Sequence, residues 1–230
     1  KGDKCGCPRS HFYHFGTMMR FLAILLFAFI SPFVKGENTK DVIDRYTEKI
    51  VSYECLYATY NFAILDKNGG TKFAIDGEFF SQGDMFLVKT YFSDIYCNGE
   101  YKALYDKSVS EVAVVGHNKY DANISDNPFA VLKNGPYAYT YDDVAEVTNE
   151  GGIPCYKVVL RPKSESADHT SVYVVVSQAD YSVKSICYIS RSGDMFKADI
   201  KSISEAGRKE PSFFEFDTAK FPDVVVNDLR

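Results

Sequence analysis

The sequence predicts a mainly β fold: a single strongly curved antiparallel sheet, an incomplete β-barrel of about eleven strands, with an N-terminal helix and a short helical lid. Three observations predict it. Short runs rich in β-branched and aromatic residues follow one another from Leu56 to Val226, each broken by turn chemistry. Many of these runs carry apolar side chains on both parities, as Tyr60, Phe62 and Ile64 do against Tyr57 and Leu65; a sheet with one wet face alternates more cleanly. No repeat of about 20–50 residues is present, which excludes a propeller or solenoid.

The helix comes first. Asn38 or Thr39 can cap a segment running to about Tyr53, in which Val42, Tyr46, Ile50 and Tyr53 form one stripe. Asp41 and Asp44 suit the positive end of its dipole. The stripe fits packing against a sheet, and also a helix that plugs the mouth of a curled one.

The opening meander runs through Leu56–Leu65, Lys72–Ser81, Met85–Tyr91, Ile95–Cys97 and Tyr101–Tyr105. Asp66 to Gly70 and Gln82-Gly83-Asp84 break it, and Asn98-Gly99 predicts a two-residue hairpin turn with both φ angles positive. Val109–Val115 is another strand, and Gly116–Asp126 is polar and turn-rich. Asn127-Pro128 then starts a single helical turn, Phe129 to Leu132, an apolar piece that has to dock on something. Tyr137–Val147 is ambiguous and extended in character. Cys155–Leu160, Ser171–Ser177, Val183–Ser190 and Met195–Ser204 continue the sheet, Phe213–Phe216 reads as a short strand, and Val224–Val226 closes it.

Ahead of this domain, Met18-Met19-Arg20 and the ten apolar residues Phe21–Ile30 have the n-region and h-region of a secretory signal. Ten residues fall short of the roughly 20 that span a bilayer. Residues 1–17 are read as upstream sequence, 18–36 as a signal cleaved near Gly36, and 37–230 as one domain in an exported compartment. Removal of 1–36 takes five basic residues and one acidic residue and moves the net charge from −5 to −9. The remaining basic residues are scattered singly, so no nucleic-acid partner is expected. Cys5 and Cys7 fall in the removed segment. Cys55, Cys97, Cys155 and Cys187 fit either two disulfides, in any of three connectivities, or four small buried side chains.

Catalytic chemistry is sparse. His117 and His169 are the histidines of the mature chain, both read as solvated loop residues, and Asp142-Asp143 as a solvated acidic turn. The sequence holds no Gly-x-Ser-x-Gly, His-Glu-x-x-His or phosphate loop. Asn123-Ile124-Ser125 matches a glycosylation sequon by pattern alone. No enzyme, cofactor or metal is expected.

The order of the pieces resembles the LolA family of periplasmic carriers of outer-membrane lipoproteins, over nearly the whole of 37–230. Gly77-Glu78-Phe79-Phe80 resembles its second strand, and Tyr96 to Asp106 its Asp-Gly-Lys hairpin and the aromatic strand after it. Asn127-Pro128-Phe129 resembles its Thr-Pro-Phe lid turn, and Leu160-Arg161-Pro162-Lys163 its Leu-x-Pro-Lys strand end. Phe214-Glu215-Phe216 and Val224 to Asp228 resemble its closing Phe-x-Phe and Val-x-Val-Asp-Asp. One departure concerns the turn Ser81-Gln82-Gly83-Asp84, which lacks the Arg that latches the lid in family members; Trp is also absent.

The resemblance implies a monomeric periplasmic carrier with acylated lipoproteins or lipids as cargo, an inner-membrane release complex that loads it and an outer-membrane acceptor that unloads it. On that reading the lipid cavity is lined by Phe62, Ile64, Phe73, Ile75, Phe79, Leu87, Val174, Phe196 and Ile200. The lid carries Val42, Tyr46, Ile50, Phe129 and Leu132. Each of these residues equally suits plain core, because strand parity assigns faces without saying which face is inside. A second reading is an exported β-domain that docks a partner protein through a sheet edge or aromatic patch. A third, a small-molecule hydrolase, requires His117 or His169 to meet carboxylates in a pocket.

Overall fold

The structure is a computed structural model, and it describes residues 36–118 and 127–230. The expected signal, Cys5, Cys7 and the Asn123 sequon lie outside the described residues. The first element is helix α1, Thr39–Val51. It starts where Asn38 turns its side-chain oxygen onto the backbone N–H groups of Lys40 and Asp41, at 2.9 and 3.4 Å, satisfying donors that no helical carbonyl can reach. Val42, Ile43, Tyr46 and Ile50 are buried along one side. Tyr53 lies beyond the helix end. No described helix is long and apolar enough to cross a membrane.

Next come β1 Leu56–Leu65, β2 Thr71–Gln82, β3 Met85–Thr90, β4 Ser93–Cys97, β5 Tyr101–Asp106 and β6 Glu111–Gly116, an antiparallel meander. Helix α2 covers Ala130–Ala138, longer than the single turn expected, and leads into β7 Tyr139–Tyr141 and β8 Glu146–Glu150. The second half is β9 Ile153–Pro162, β10 His169–Ser177, β11 Val183–Ser190 and β12 Met195–Glu205. The last strand, β13, is Val225–Asp228. All belong to one open, strongly curved sheet in the order β13-β6-β5-β4-β3-β2-β1-β12-β11-β10-β9-β7, with β8 also on β9. The two halves join where β1 pairs with β12, Phe62 opposite Ala198 and Ile64 opposite Phe196.

Alternation sorts the side chains onto an inner and an outer face. α1 and α2 lie on the inner face, and the main core forms between them and Leu56, Ala58, Tyr60, Phe79, Val158, Leu160, Val174 and Ile186. The segment before α1 is stitched to the stretch between β7 and β8: Thr39 N–H donates to Asp143 O and Ala145 N–H to Glu37 O, both at 3.0 Å.

The outer face explains the apolar residues of the second parity. A single-turn 3₁₀ helix, Pro211–Phe214, and the residues after it run back across β2–β6. Phe214 is fully buried beside Cys55 and Leu87, while Phe216 and Phe221 stack on each other and pack on Tyr105. The strand expected over Phe213–Phe216 does not form. Pro211 has no N–H to give a ladder and its ring fixes a helical φ, so the chain turns, Phe213 N–H bonding Glu210 O at 2.9 Å. β13 then pairs with β6 in parallel, the one parallel pairing among the described strands.

One smaller expectation changes, and one open alternative is resolved. At the β4–β5 turn only Gly99 takes a positive φ, +97°. Asn98 instead accepts from the N–H groups of Glu100 and Tyr101 through its side chain, at 3.0 and 3.1 Å, making a longer Asx-type turn. Cys55, Cys97, Cys155 and Cys187 are free and buried. The register sets Cys97 opposite Phe86 and Cys187 opposite Tyr173 and Lys197, so no cross-strand pairing brings two of them face to face.

Candidate functional site

The inner face has a closed part and an open part. The closed part lies under the helices. Val42, Tyr46, Ile50, Phe129 and Leu132 pack with Phe79 and Val174 into the main core, each at most 5% exposed. Tyr60 lies in it as well, and burial pushes its phenol up to about 12.

The open part lies toward the β1–β2 turn. Phe62, Ile64, Ile75 and Phe196 are half-buried and Phe73 is 38% exposed. The register sets them in one block: Phe62 opposite Ile75, Ile64 opposite Phe73 and, across β1, Phe196. Phe196 stacks on Tyr188, 5.0 Å between centroids and 2° from parallel, and lies 6.3 Å from the Phe62 ring. Phe92, on the β3–β4 turn and 49% exposed, comes within 6.4 Å of Phe73. The structure thus brings together five of the nine residues read as cavity lining. Ile200 borders a separate recess of about 290 Å³ between the end of α1 and β11–β12, shared with Ile50, Tyr53 and Lys184. Leu87 does not join them: its neighbours Phe86 and Val88 take the inner face, and Leu87 packs outside against Phe214.

Polar contacts help to hold α2 over the sheet. Lys133 Nζ donates to Ser81 Oγ at 2.8 Å and to Gly83 O at 3.2 Å, the turn where the sequence offers no Arg. Burial pulls this ammonium below the usual lysine range, opposed by the charge of Asp84. Thr47 Oγ1 adds a bond from α1 to Leu132 O, 3.2 Å.

The histidines separate. His117 meets the edge of Phe86, ring centroids 5.9 Å apart. His169 is not the solvated loop residue expected; it opens β10, is 1% exposed, and bonds to Asp168 and Tyr139. The Tyr139 and Tyr188 rings lie beside it, 5.7 and 6.3 Å between centroids, and help to cover it. Asp142 accepts a two-pronged bond from Arg161 at 3.1 and 3.2 Å, a surface ion pair. Among the described residues no cluster of His, Cys, Asp or Glu could hold a metal. Lys133, Phe92 and the Tyr139 partnership escaped sequence reasoning. Asp168-His169 is visible as a dipeptide, but nothing in the sequence points thirty residues back to Tyr139.

No family model matches the chain, and no curated protein matches it in sequence. Solved structures do match in fold. A conserved uncharacterized protein from Thermus thermophilus superposes with a TM-score of 0.53 at 8% identity, over 82% of this chain and 98% of that one. A DUF1329 family protein from Desulfovibrio piger gives 0.46 at 11% identity, over 78% and 98% of the two chains. A LolA superfamily protein from Nitrosomonas europaea gives 0.45 at 11%, over 79% and 99%. At such identities the likeness is one of fold alone, and the chain shares its fold with the Thermus protein.

Proposed function

We propose that the protein is a non-enzymatic carrier that holds an acyl chain of a lipid or lipoprotein against the open part of its inner face, in the periplasm, after export by the signal at residues 18–36. The observation that carries this reading is the block of partly exposed apolar side chains Phe62, Ile64, Phe73, Ile75 and Phe196, adjacent in register at the edge of the main core. Each would gain by contact with hydrocarbon instead of water, at about 25 cal/mol per Å² of apolar surface. The cargo's need is larger. Burial of a lipid chain is worth about 0.8 kcal/mol per CH₂, so a 16-carbon chain loses on the order of 12 kcal/mol when exposed to water. Such a chain crosses an aqueous compartment only in an apolar host.

Rings on a sheet suit the task because they offer area without a fixed shape, and a load held by dispersion alone leaves without breaking a directional bond. The mature net charge of −9 keeps the carrier off anionic bilayer surfaces except where it is received. Uptake of a fluorescent fatty acid by the purified mature chain tests the reading, with mass spectrometry of acylated material that co-purifies. Saturable uptake that falls in Phe73→Asp and Ile75→Asp supports it. A folded chain that takes up no probe and carries no lipid ends it and favours an exported module that docks a protein.

A further inference from the structure

His169, Asp168 and Tyr139 form a hydrogen-bonded chain that the carrier reading leaves unused. Tyr139 opens β7 directly after α2 and is 2% exposed; His169 opens β10 and is 1% exposed. His169 Nδ1 lies 2.6 Å from Asp168 Oδ1, and Nε2 lies 3.0 Å from the Tyr139 hydroxyl. An ionised carboxylate only accepts, so Nδ1 carries the proton and donates. Nε2 then holds a lone pair, and the Tyr139 O–H donates to it. Burial, with the charge of Asp168 behind it, raises the Tyr139 phenol, which therefore keeps its proton.

We propose that this chain is a proton-controlled clamp on the α2–β7 junction, closed while His169 is neutral and loosened when its ring takes a second proton. That proton has one place to go, Nε2. The bond to Tyr139 must then reverse, with Nε2–H donating and the hydroxyl accepting. The phenol proton is left pointing into an interior where, among the described residues, the Tyr139 hydroxyl has no other partner.

The junction is short of other ties. β7 has three residues and, among the described strands, pairs with β9 alone, starting where Lys163 N–H bonds Ala138 O at 2.9 Å. The side-chain bond to His169 reaches past β9 to β10 and ties this short strand to the body of the sheet.

The groups around the ring leave the switch intact. Asp168 faces it from its own loop, Tyr139 from β7, and the Tyr188 ring from β11 at 6.3 Å. Two cations are near and engaged elsewhere. Arg191, on the β11–β12 turn, donates to Ala167 O and Glu165 O. Lys163, after β9, donates to Tyr137 O at 3.0 Å. Neither has a hydrogen bond to the ring or to the Asp168 carboxylate.

Amide hydrogen exchange of the mature chain from pH 8 to pH 5, with the His169 ring followed by NMR, tests the clamp. As the ring titrates, protection of the amides from Ala138 to Tyr141 should fall about tenfold, the factor one unsatisfied buried donor is worth. His169→Gln, which cannot charge, and Tyr139→Phe, which has no proton to strand, should both lose that step. A ring that titrates with no change in protection overturns the clamp. So does a step that survives in either variant, or a ring that stays neutral at pH 5 in the folded chain. None of these readings involves lipid, so the clamp and the carrier stand or fall separately.

Discussion

Phe129 stacks on Phe79 with ring centroids 4.2 Å apart and planes 13° from parallel. This is the joint between α2 and the sheet. Phe129 follows the Asn127-Pro128 start, where Asn127 Oδ1 accepts its N–H at 3.1 Å, and it also meets the edge of Tyr60 at 5.3 Å. Phe129→Ala empties a site 3% exposed and should cost about 3–5 kcal/mol. A double-mutant cycle with Phe79→Leu should return about 0.5–1.5 kcal/mol of coupling. Urea unfolding of the four variants reads both, and additive losses would show that the stack contributes no more than its area.

The chain's own C-terminal segment fills the outer face, so Phe214 guards Cys55. Burial raises the Cys55 thiol despite the nearby charge of Lys209. In the native wild-type chain all four buried thiols should react slowly with an aromatic disulfide reagent. Phe214→Ala should destabilise by about 3–5 kcal/mol and make one thiol fast. Peptide mapping should identify it as Cys55; fast labelling of Cys187 instead would mean that the segment does not cover this face.

These two joints mark what was legible in the sequence. The strands were, because period-two alternation and Gly, Asp and Asn turns are local: Val183–Ser190 is β11 to the residue. Helix α1 was, because its cap and stripe are local too. The second apolar parity was visible, but its occupant was not, since Phe214 meets Leu87 across a long separation in sequence. The same distance hid Leu87's side of the sheet, His169's burial and Lys133's hold on Ser81. Helix α2 ran past its expected end because contacts with α1 and β7 outweigh the Gly135-Pro136 stop signal.

Lys133 gives a pH dependence with a fixed sign. Burial holds its folded-state ammonium below 10.5, the ordinary value for a lysine. Between that lowered value and 10.5 the unfolded chain binds more proton than the folded one, so stability gains from this group as pH rises through the window. Against Lys133→Met, the wild type should therefore improve steadily as pH rises toward 10.5. Urea midpoints at closely spaced pH values check this; a difference that is flat or shrinks would place the ammonium in water.

Gly77 has no room for a side chain. A Cβ there would lie 2.6 Å from Tyr60 Cζ and 2.7 Å from its hydroxyl oxygen. The ring cannot swing aside, because it is 3% exposed and held by Phe129. Gly77→Ala should cost about 1–3 kcal/mol as an overpacked core. Combining it with Tyr60→Leu, which removes the clashing atoms, should cost less than the sum of the two. Thermal melts of the set decide it, and strict additivity would point to backbone strain in place of the clash.

Leu87 and Phe73 form a paired control for the binding face. Both are large apolar residues on neighbouring strands, but Leu87 is 3% exposed and faces the C-terminal segment, whereas Phe73 is 38% exposed and lies beside Ile64 on the other face. Leu87→Ala should cost about 2–5 kcal/mol and leave the affinity of the folded fraction for a fluorescent fatty acid unchanged. Phe73→Ser removes a ring already partly in water, so its stability cost should stay below about 1.5 kcal/mol, the transfer value of a partly exposed side chain. Its effect should fall on uptake, with at least a fivefold weaker Kd, because a chain lying across β1 and β2 loses one wall. Equal affinities in the two variants would move the lipid off this face. Stability and uptake falling together in Phe73→Ser would return the residue to ordinary core.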